Sequence, residues 1–350
     1  MDRLERIKGC LLGGAVGDAL GAPVEFLEWP VIEAKYGCQG IVDFAPAFGL
    51  TGAITDDTQM MLFTAEGLLR AFVRGSAGGD CHVPSIIHHA QLRWLLTQDY
   101  PAPVVVSQDG WLIEQQALWS RRAPGTTCLT ALKASQRMGA VAENNSKDCG
   151  ALVRAAPCAF FANAFDYATQ SGRLTHGHPT GYLAGGLFAD ILQRMVDWQD
   201  SLEHSISESL AKHGQKPSME QPRSFIERVL FFFYEGYRPT PQRIAELGGG
   251  WVAEEALAIG LWCALFADSL ESGIITAVNH GGNSGSTGLI TGHLLGVQYG
   301  AATIPARWFA QLELREVIEQ IAEDIERIPR EYCGVGGEFD EQIEQAYPGN

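Results

Sequence analysis

The chain has 350 residues, 46 % hydrophobic and 19 % charged, with a formal net charge of −16. That apolar content supplies a real core and excludes global disorder. So acidic a surface repels nucleic-acid phosphates and anionic membranes, which argues against a nucleic-acid binder but leaves room for a local pocket that takes a phosphate-bearing small molecule.

In chain order, Met1 to Lys8 is charged and lacks the apolar stretch and cleavage site of a signal peptide. It runs into a helix with Gly9, Gly13, Gly17 and Gly21 four residues apart on one side. Each glycine costs about 1 kcal/mol against alanine in a helix interior, so something must offset the set. Close approach of two helix backbones is the plain answer. A second set, Gly288, Gly292 and Gly296, has the same period.

Residues 57–74 put apolar side chains at three-to-four spacing, which predicts a helix. Residues 252–270 do the same with Glu254 and Glu255 in the first turn, and residues 308–328 repeat it with many charges. Loops are expected at 74–84, 99–111, 139–151, 197–224 and 329–350, and Val104–Ser107 reads as strand or loop. The polar stretch 197–224 reads as an elaborated surface insertion in a single domain spanning 1–350, since apolar helices resume on both sides. Residues Ser272 to Ala306 carry no Asp, Glu, Lys or Arg, but Asn279, His280, Asn283, Ser284 and Ser286 interrupt them, so no membrane span is expected.

The cysteines are Cys10, Cys38, Cys81, Cys128, Cys149, Cys158, Cys263 and Cys333. None forms a CxxC pair or a zinc-finger spacing, so reduced thiols in a cytoplasmic protein are expected.

Candidate chemistry begins at Thr55-Asp56-Asp57-Thr58, directly before an apolar helix. Thr55 or Asp56 suits an N-cap, and acidic residues suit the first turn. The same hydroxyl and paired carboxylates also offer oxygen ligands for Mg²⁺ or Ca²⁺. The Asn279–Gly288 loop opens the second glycine helix; it is either a site where a ligand approaches the backbone or an ordinary turn capped by Asn283 or Ser286. His176 and His178 precede another apolar helix, where a histidine is more often structural than catalytic. Residues 144–150 are polar and suit either a ligand or a turn.

Their order carries more than any one piece. The segments GCLLGGAVGDALGAPVE at 9–25, TDDTQM at 55–60, APGTTCLTAL at 123–132, NNSKDCGALVRAAP at 144–157, THGHPTGYLAGG at 175–186, WVAEEALAIGLWCAL at 251–265 and NHGGNSGSTGLITGHLLG at 279–296 together resemble the ADP-ribosylglycohydrolase family. The resemblance runs from residue 4 to about 328 and leans toward the branch acting on arginine-linked ADP-ribose. It implies an all-α orthogonal helical bundle whose cleft holds two Mg²⁺, or Mn²⁺ in some members. It implies catalytic roles for Asp56, Asp57 and Glu25, and metal contacts from Thr55, Asp56, Asp57 and Ser286. It sets Ser146, Cys149, Gly150, His178, Gly282 and Ser284 against the substrate. The family's second metal-binding segment, Asp-x-Asp-Ser/Thr, reads Asn283-Ser284-Gly285-Ser286 here. Asn283 keeps a carbonyl oxygen but no charge, and Gly285 has no side chain, so at least one metal is expected to bind weakly or not at all. Asp148 stands where relatives have glycine, with no role assigned to it.

Three readings follow from the resemblance. The first is a hydrolase with a compromised site. The second is a non-catalytic binder of ADP-ribose or of an ADP-ribosyltransferase toxin, as in immunity proteins. The third is a disabled variant of an active hydrolase.

Overall fold

A computed structural model describes residues 1–331 and 340–349; Cys333 falls outside the described residues, and the described part of the expected 329–350 loop is largely helix, at 329–331 and 341–346. Helix α1 (Arg3–Gly21) starts on an Asp2 cap, and α2 (Trp29–Tyr36) carries Pro30 in its first turn. A two-stranded antiparallel hairpin, β1 (Pro46–Ala47) and β2 (Leu50–Thr51), leads into α3 (Asp56–Ser76). Next come α4 (Val83–Thr97), α5 (Thr126–Ala134), α6 (Ala164–Arg173) and α7 (Pro179–Gln193). Helices α8 (Leu202–His213), α9 (Glu220–Tyr234), the short α10 (Pro241–Ile244), α11 (Ala253–Leu265) and α12 (Leu270–Val278) precede α13 (Ser284–Tyr299). The chain continues through α14 (Ala306–Phe309), α15 (Arg315–Glu331) and α16 (Glu341–Ala346). The all-α expectation holds, and no described helix is long and apolar enough to cross a membrane.

The glycine stripes resolve as backbone packing. Helices α1 and α13 lie antiparallel, so that a methyl added at Gly9, Gly13 or Gly17 would stand 2.1, 2.4 or 2.0 Å from the carbonyl oxygen of Gly296, Gly292 or Gly288. The reverse contacts are as close. No side chain fits between these helices, and the cost of each glycine is offset by that approach. Around this pair runs one buried apolar cluster that includes Leu11, Val16, Phe63, Trp94, Trp262 and Leu294.

The structure departs from expectation in identifiable places. The 197–224 stretch contains α8 and the start of α9; it reads as polar because α8 buries only one face, Leu202, Ser205, Ile206 and Ser209. The helix expected over 252–270 stops at Leu265, because Ser269 caps the next helix in a reciprocal bond with Ser272. The helix expected from 308 begins at Arg315, because Leu314 takes a positive φ of 56°. Helix α3 runs to Ser76, three residues into the expected 74–84 loop, and Val104–Ser107 is loop. Cys10, Cys128, Cys149, Cys158 and Cys263 are buried free thiols, whereas Cys38 and Cys81 are exposed ones.

Candidate active site

The antiparallel glycine contact sets the C-terminal end of α1 beside the N-terminus of α13, with Gly21 against the Ser284 carbonyl. The N-terminus of α3 closes on both. A cavity of about 550 Å³ opens there, lined on this side by Glu25, Thr55, Asp56, Asp57, Asn283 and Ser286.

Local bonding fixes each of these groups. Thr55 caps α3, its Oγ1 accepting from the Asp57 N–H at 3.2 Å. Thr55 in turn donates its own N–H and hydroxyl to the buried Asp18 at 2.9 and 2.7 Å, and the Thr58 hydroxyl donates to Asp18 as well. The Asp56 carboxylate accepts from the Gly125 N–H at 3.0 Å. The Ser286 hydroxyl donates to Asp57 Oδ2 at 2.6 Å, tying α13 to α3. Asn283 caps α13: its Oδ1 accepts from the Ser286 N–H at 3.2 Å, and its Nδ2 points to Cys149 Sγ at 3.2 Å.

Electrostatics then set the chemistry. Burial, with the charges of Asp57 and Asp18 beside it, pushes Glu25 up to about 8. Burial and the Asp18 charge push Asp57 to about 7, against the opposing Ser286 bond. Asp56 rises well above its ordinary value through burial and then Asp57. Burial also raises Asp18, outweighing its threonine bonds. No Lys or Arg side chain is among the described residues lining the cavity. Arg154, behind the lining at Cys128 Sγ, opposes the rise of Asp57 only in part. Carboxylates crowded this way suit a bound cation, and their oxygens suit a hard one such as Mg²⁺. The α13 wall fits it less well. Asn283 Oδ1 is engaged as a cap, and Gly285 brings no ligand, although a Cβ there would sit 3.5 Å from both Asp18 Oδ1 and Glu25 Oε2. Among the described residues no three His, Cys, Asp or Glu side chains are grouped as a ready metal cage.

A further wall is made by Asp148, Cys149 and Gly150, with Cys149 Sγ 3.4 Å from Ser286 Oγ. Asp148 bonds His176 Nε2, accepts from the Gly150 N–H at 3.1 Å and from the Ser146 hydroxyl at 3.2 Å. Burial alone would raise its carboxyl; the His176 bond and charge outweigh this and hold it well below the usual carboxylate range. At the mouth Phe26, with a positive φ of 69°, stacks on Trp251 at 5.1 Å.

Of the residues expected from sequence, Glu25, Thr55, Asp56, Asp57, Cys149, Gly150, Asn283 and Ser286 meet at this cavity. Ser146 stands just behind it, bonded to Thr127 and Asp148. The other three do not line it. His178 caps α7 by accepting from the Thr180 N–H, Gly282 packs on the Gly249 backbone, and Ser284 is buried beneath α1 with its hydroxyl unpartnered. Sequence reasoning missed Asp18, Cys128, Phe26 and Trp251, and it weighed His176 without assigning it to the site. Asp18 had left one signal, a lone carboxylate inside an apolar glycine helix.

The all-helical fold carries an acidic cleft between helix ends, and the chain belongs to the ADP-ribosylglycohydrolase family, whose family model matches residues 1–333. It is 26 % identical over 332 residues to an ADP-ribosyl-[dinitrogen reductase] glycohydrolase of Rhodospirillum rubrum, covering 91 % of this chain and 94 % of that one. It is 25 % identical over 333 residues to the ADP-ribosylarginine hydrolase Tri1 of Serratia proteamaculans, covering 93 % and 80 % respectively. A solved structure titled "ADP-ribosylglycohydrolase-related protein complex" superposes with a TM-score of 0.68 at 27 % identity, covering 93 % of this chain and 99 % of the other.

Proposed function

We propose that this chain hydrolyses the N-glycosidic bond between ADP-ribose and an arginine side chain, through a divalent-cation site whose α13 half is reduced to neutral groups. The observation that carries the reading is the convergence of Glu25, Asp56 and Asp57 on one cavity, with the buried Asp18 behind them and no cationic side chain in its described lining. A cleft this acidic disfavours a bare diphosphate and favours a cationic acceptor such as a guanidinium. The ADP-ribosylarginine hydrolase among the relatives points the same way.

Thr55, Asp56, Asp57 and Glu25 would hold the cation, with Ser286 beside them. When bound, Mg²⁺ or Mn²⁺ supplies charge that orients ribose hydroxyls and water. The chain's own groups do the proton work. Water forms the new bond to the anomeric carbon as the carbon–nitrogen bond breaks, and its electron pair stays on the guanidine. An ionised Glu25 or Asp57 takes the water's proton, and a proton returns to the neutral guanidine to make the guanidinium product.

The test is calorimetric Mg²⁺ titration followed by release of free ADP-ribose from an ADP-ribosylarginine peptide. Release at saturating Mg²⁺ supports the reading, and none with either Mg²⁺ or Mn²⁺ sinks it. The neutral pair Asn283 and Gly285 favours a second reading, a non-catalytic protein that binds ADP-ribose or blocks an ADP-ribosyltransferase. Binding of ADP-ribose without release of product is the outcome that selects it.

A further inference from the structure

We infer that Asp148 is the receptor for the guanidinium of the modified arginine, and so sets specificity for a cationic acceptor; this rests on the arginine reading above. Three observations carry it. The first is position: Asp148 lines the same cavity as Asp56 and Asp57, and 38 % of its side chain is exposed. The second is wiring. Its carboxylate is gripped by His176, Gly150 and Ser146. His176 is fully buried and is itself held, its Nδ1 lying 2.8 Å from Thr175 Oγ1, which accepts from Arg154 at 2.6 Å. A carboxylate fixed by donors on its inner side keeps its charge and its orientation, as a selective contact requires. The third is what the cavity lacks. A diphosphate beside Asp148 would meet a fixed negative charge with no Lys or Arg in the described lining to offset it, whereas a planar guanidinium offers paired N–H donors. The substrate therefore lies with its phosphates away from this wall and its arginine end against it.

The deciding probe is agmatine compared by calorimetry on the full chain with N-(4-aminobutyl)urea, which keeps agmatine's ammonium and replaces its guanidinium with a neutral group of the same shape. The native protein binds agmatine at least tenfold more tightly than this urea. Asp148→Asn, which keeps the shape, removes that preference, and Asp148→Glu, which keeps the charge, retains most of it. Equal agmatine affinity in the native protein and Asp148→Asn overturns the inference. In turnover, Asp148→Asn raises KM at least tenfold for an arginine-linked ADP-ribosyl peptide and leaves kcat/KM for a serine-linked one unchanged or higher. A parallel fall on both substrates overturns it too. If neither substrate is hydrolysed by the native protein, the hydrolase reading fails and the agmatine comparison alone decides the role of Asp148.

Discussion

Asp18, buried in the last turn of α1, accepts both the N–H and the hydroxyl of Thr55, the residue that caps α3. One carboxylate thereby fixes the start of the helix that carries Asp56 and Asp57. Thr58 adds a third donor, and the three use both oxygens. Asn can accept at only one of its two terminal atoms, so Asp18→Asn leaves a buried donor facing an amide N–H₂. The expected loss is about 1.5–3 kcal/mol in urea unfolding, the range for charged hydrogen bonds. Relief of repulsion on Glu25 and Asp57 offsets only part of it. Unchanged stability would remove Asp18 as the anchor of this segment.

The glycine stripes make a second, sharper contrast. In Gly292→Ala the new methyl stands 2.0 Å from the Gly13 carbonyl oxygen, so α1 and α13 must move apart. In Gly285→Ala, on the same helix, the nearest atoms are at 3.5 Å, an ordinary contact. Overpacking costs typically about 1–3 kcal/mol. Gly292→Ala is expected to lose at least that much, while Gly285→Ala stays within about 0.5 kcal/mol of the native protein. Similar melting curves for the two variants would contradict the backbone contact.

Those same glycines mark what sequence made legible. A four-residue glycine period has few physical explanations, and close helix packing was among them. Thr55-Asp56-Asp57 was legible too, because capping and ligand chemistry demand the same residue types, and the structure has Thr55 capping while both aspartates face the cavity. Asp148 and His176 were not. Their pairing spans 28 residues and depends on how the 144–150 loop folds against the start of α7, which no local pattern encodes. His178, favoured over His176 from sequence, turned out to be the helix cap. The α8 helix was hidden by its composition, since serines at Ser205 and Ser209 fill buried positions that an apolar count ignores.

The raised carboxylates give the protein a pH dependence of definite sign. Glu25 at about 8 and Asp57 at about 7 hold protons in the folded state that the unfolded chain releases near 4. Their contribution to stability is therefore fully present below about pH 4 and is lost as pH rises through 7 to 8. Metal-free protein is expected to melt several degrees lower at pH 8.5 than at pH 6. Because Mg²⁺ competes with those protons, its stabilising effect should be small at pH 6 and largest above pH 8. Scanning calorimetry with EDTA and with Mg²⁺ at both values checks this. A Mg²⁺ response that does not grow with pH would mean the cation does not bind to these carboxylates.

The neutral α13 wall can be refilled. Asp at 283 retains a side-chain oxygen to cap the Ser286 N–H, so Asn283→Asp costs the helix little. At 285 a side chain has room, and it points between Asp18 and Glu25. Without a cation, Asn283→Asp with Gly285→Asp adds two negative charges to a cavity that already pushes its carboxyl groups upward, so the double variant should melt below the native protein in EDTA. With Mg²⁺ the same charges become ligands, and the order should reverse. A tenfold gain in Mg²⁺ affinity corresponds to about 1.4 kcal/mol and is the minimum expected from two added carboxylates. Asn283→Asp alone should give a smaller part of that gain, since residue 285 is the one aimed at Asp18 and Glu25. If the double variant is destabilised in EDTA and Mg²⁺ fails to rescue it, the carboxylates converge on this cavity without forming a cation site, and the cation chemistry proposed for the chain falls with it.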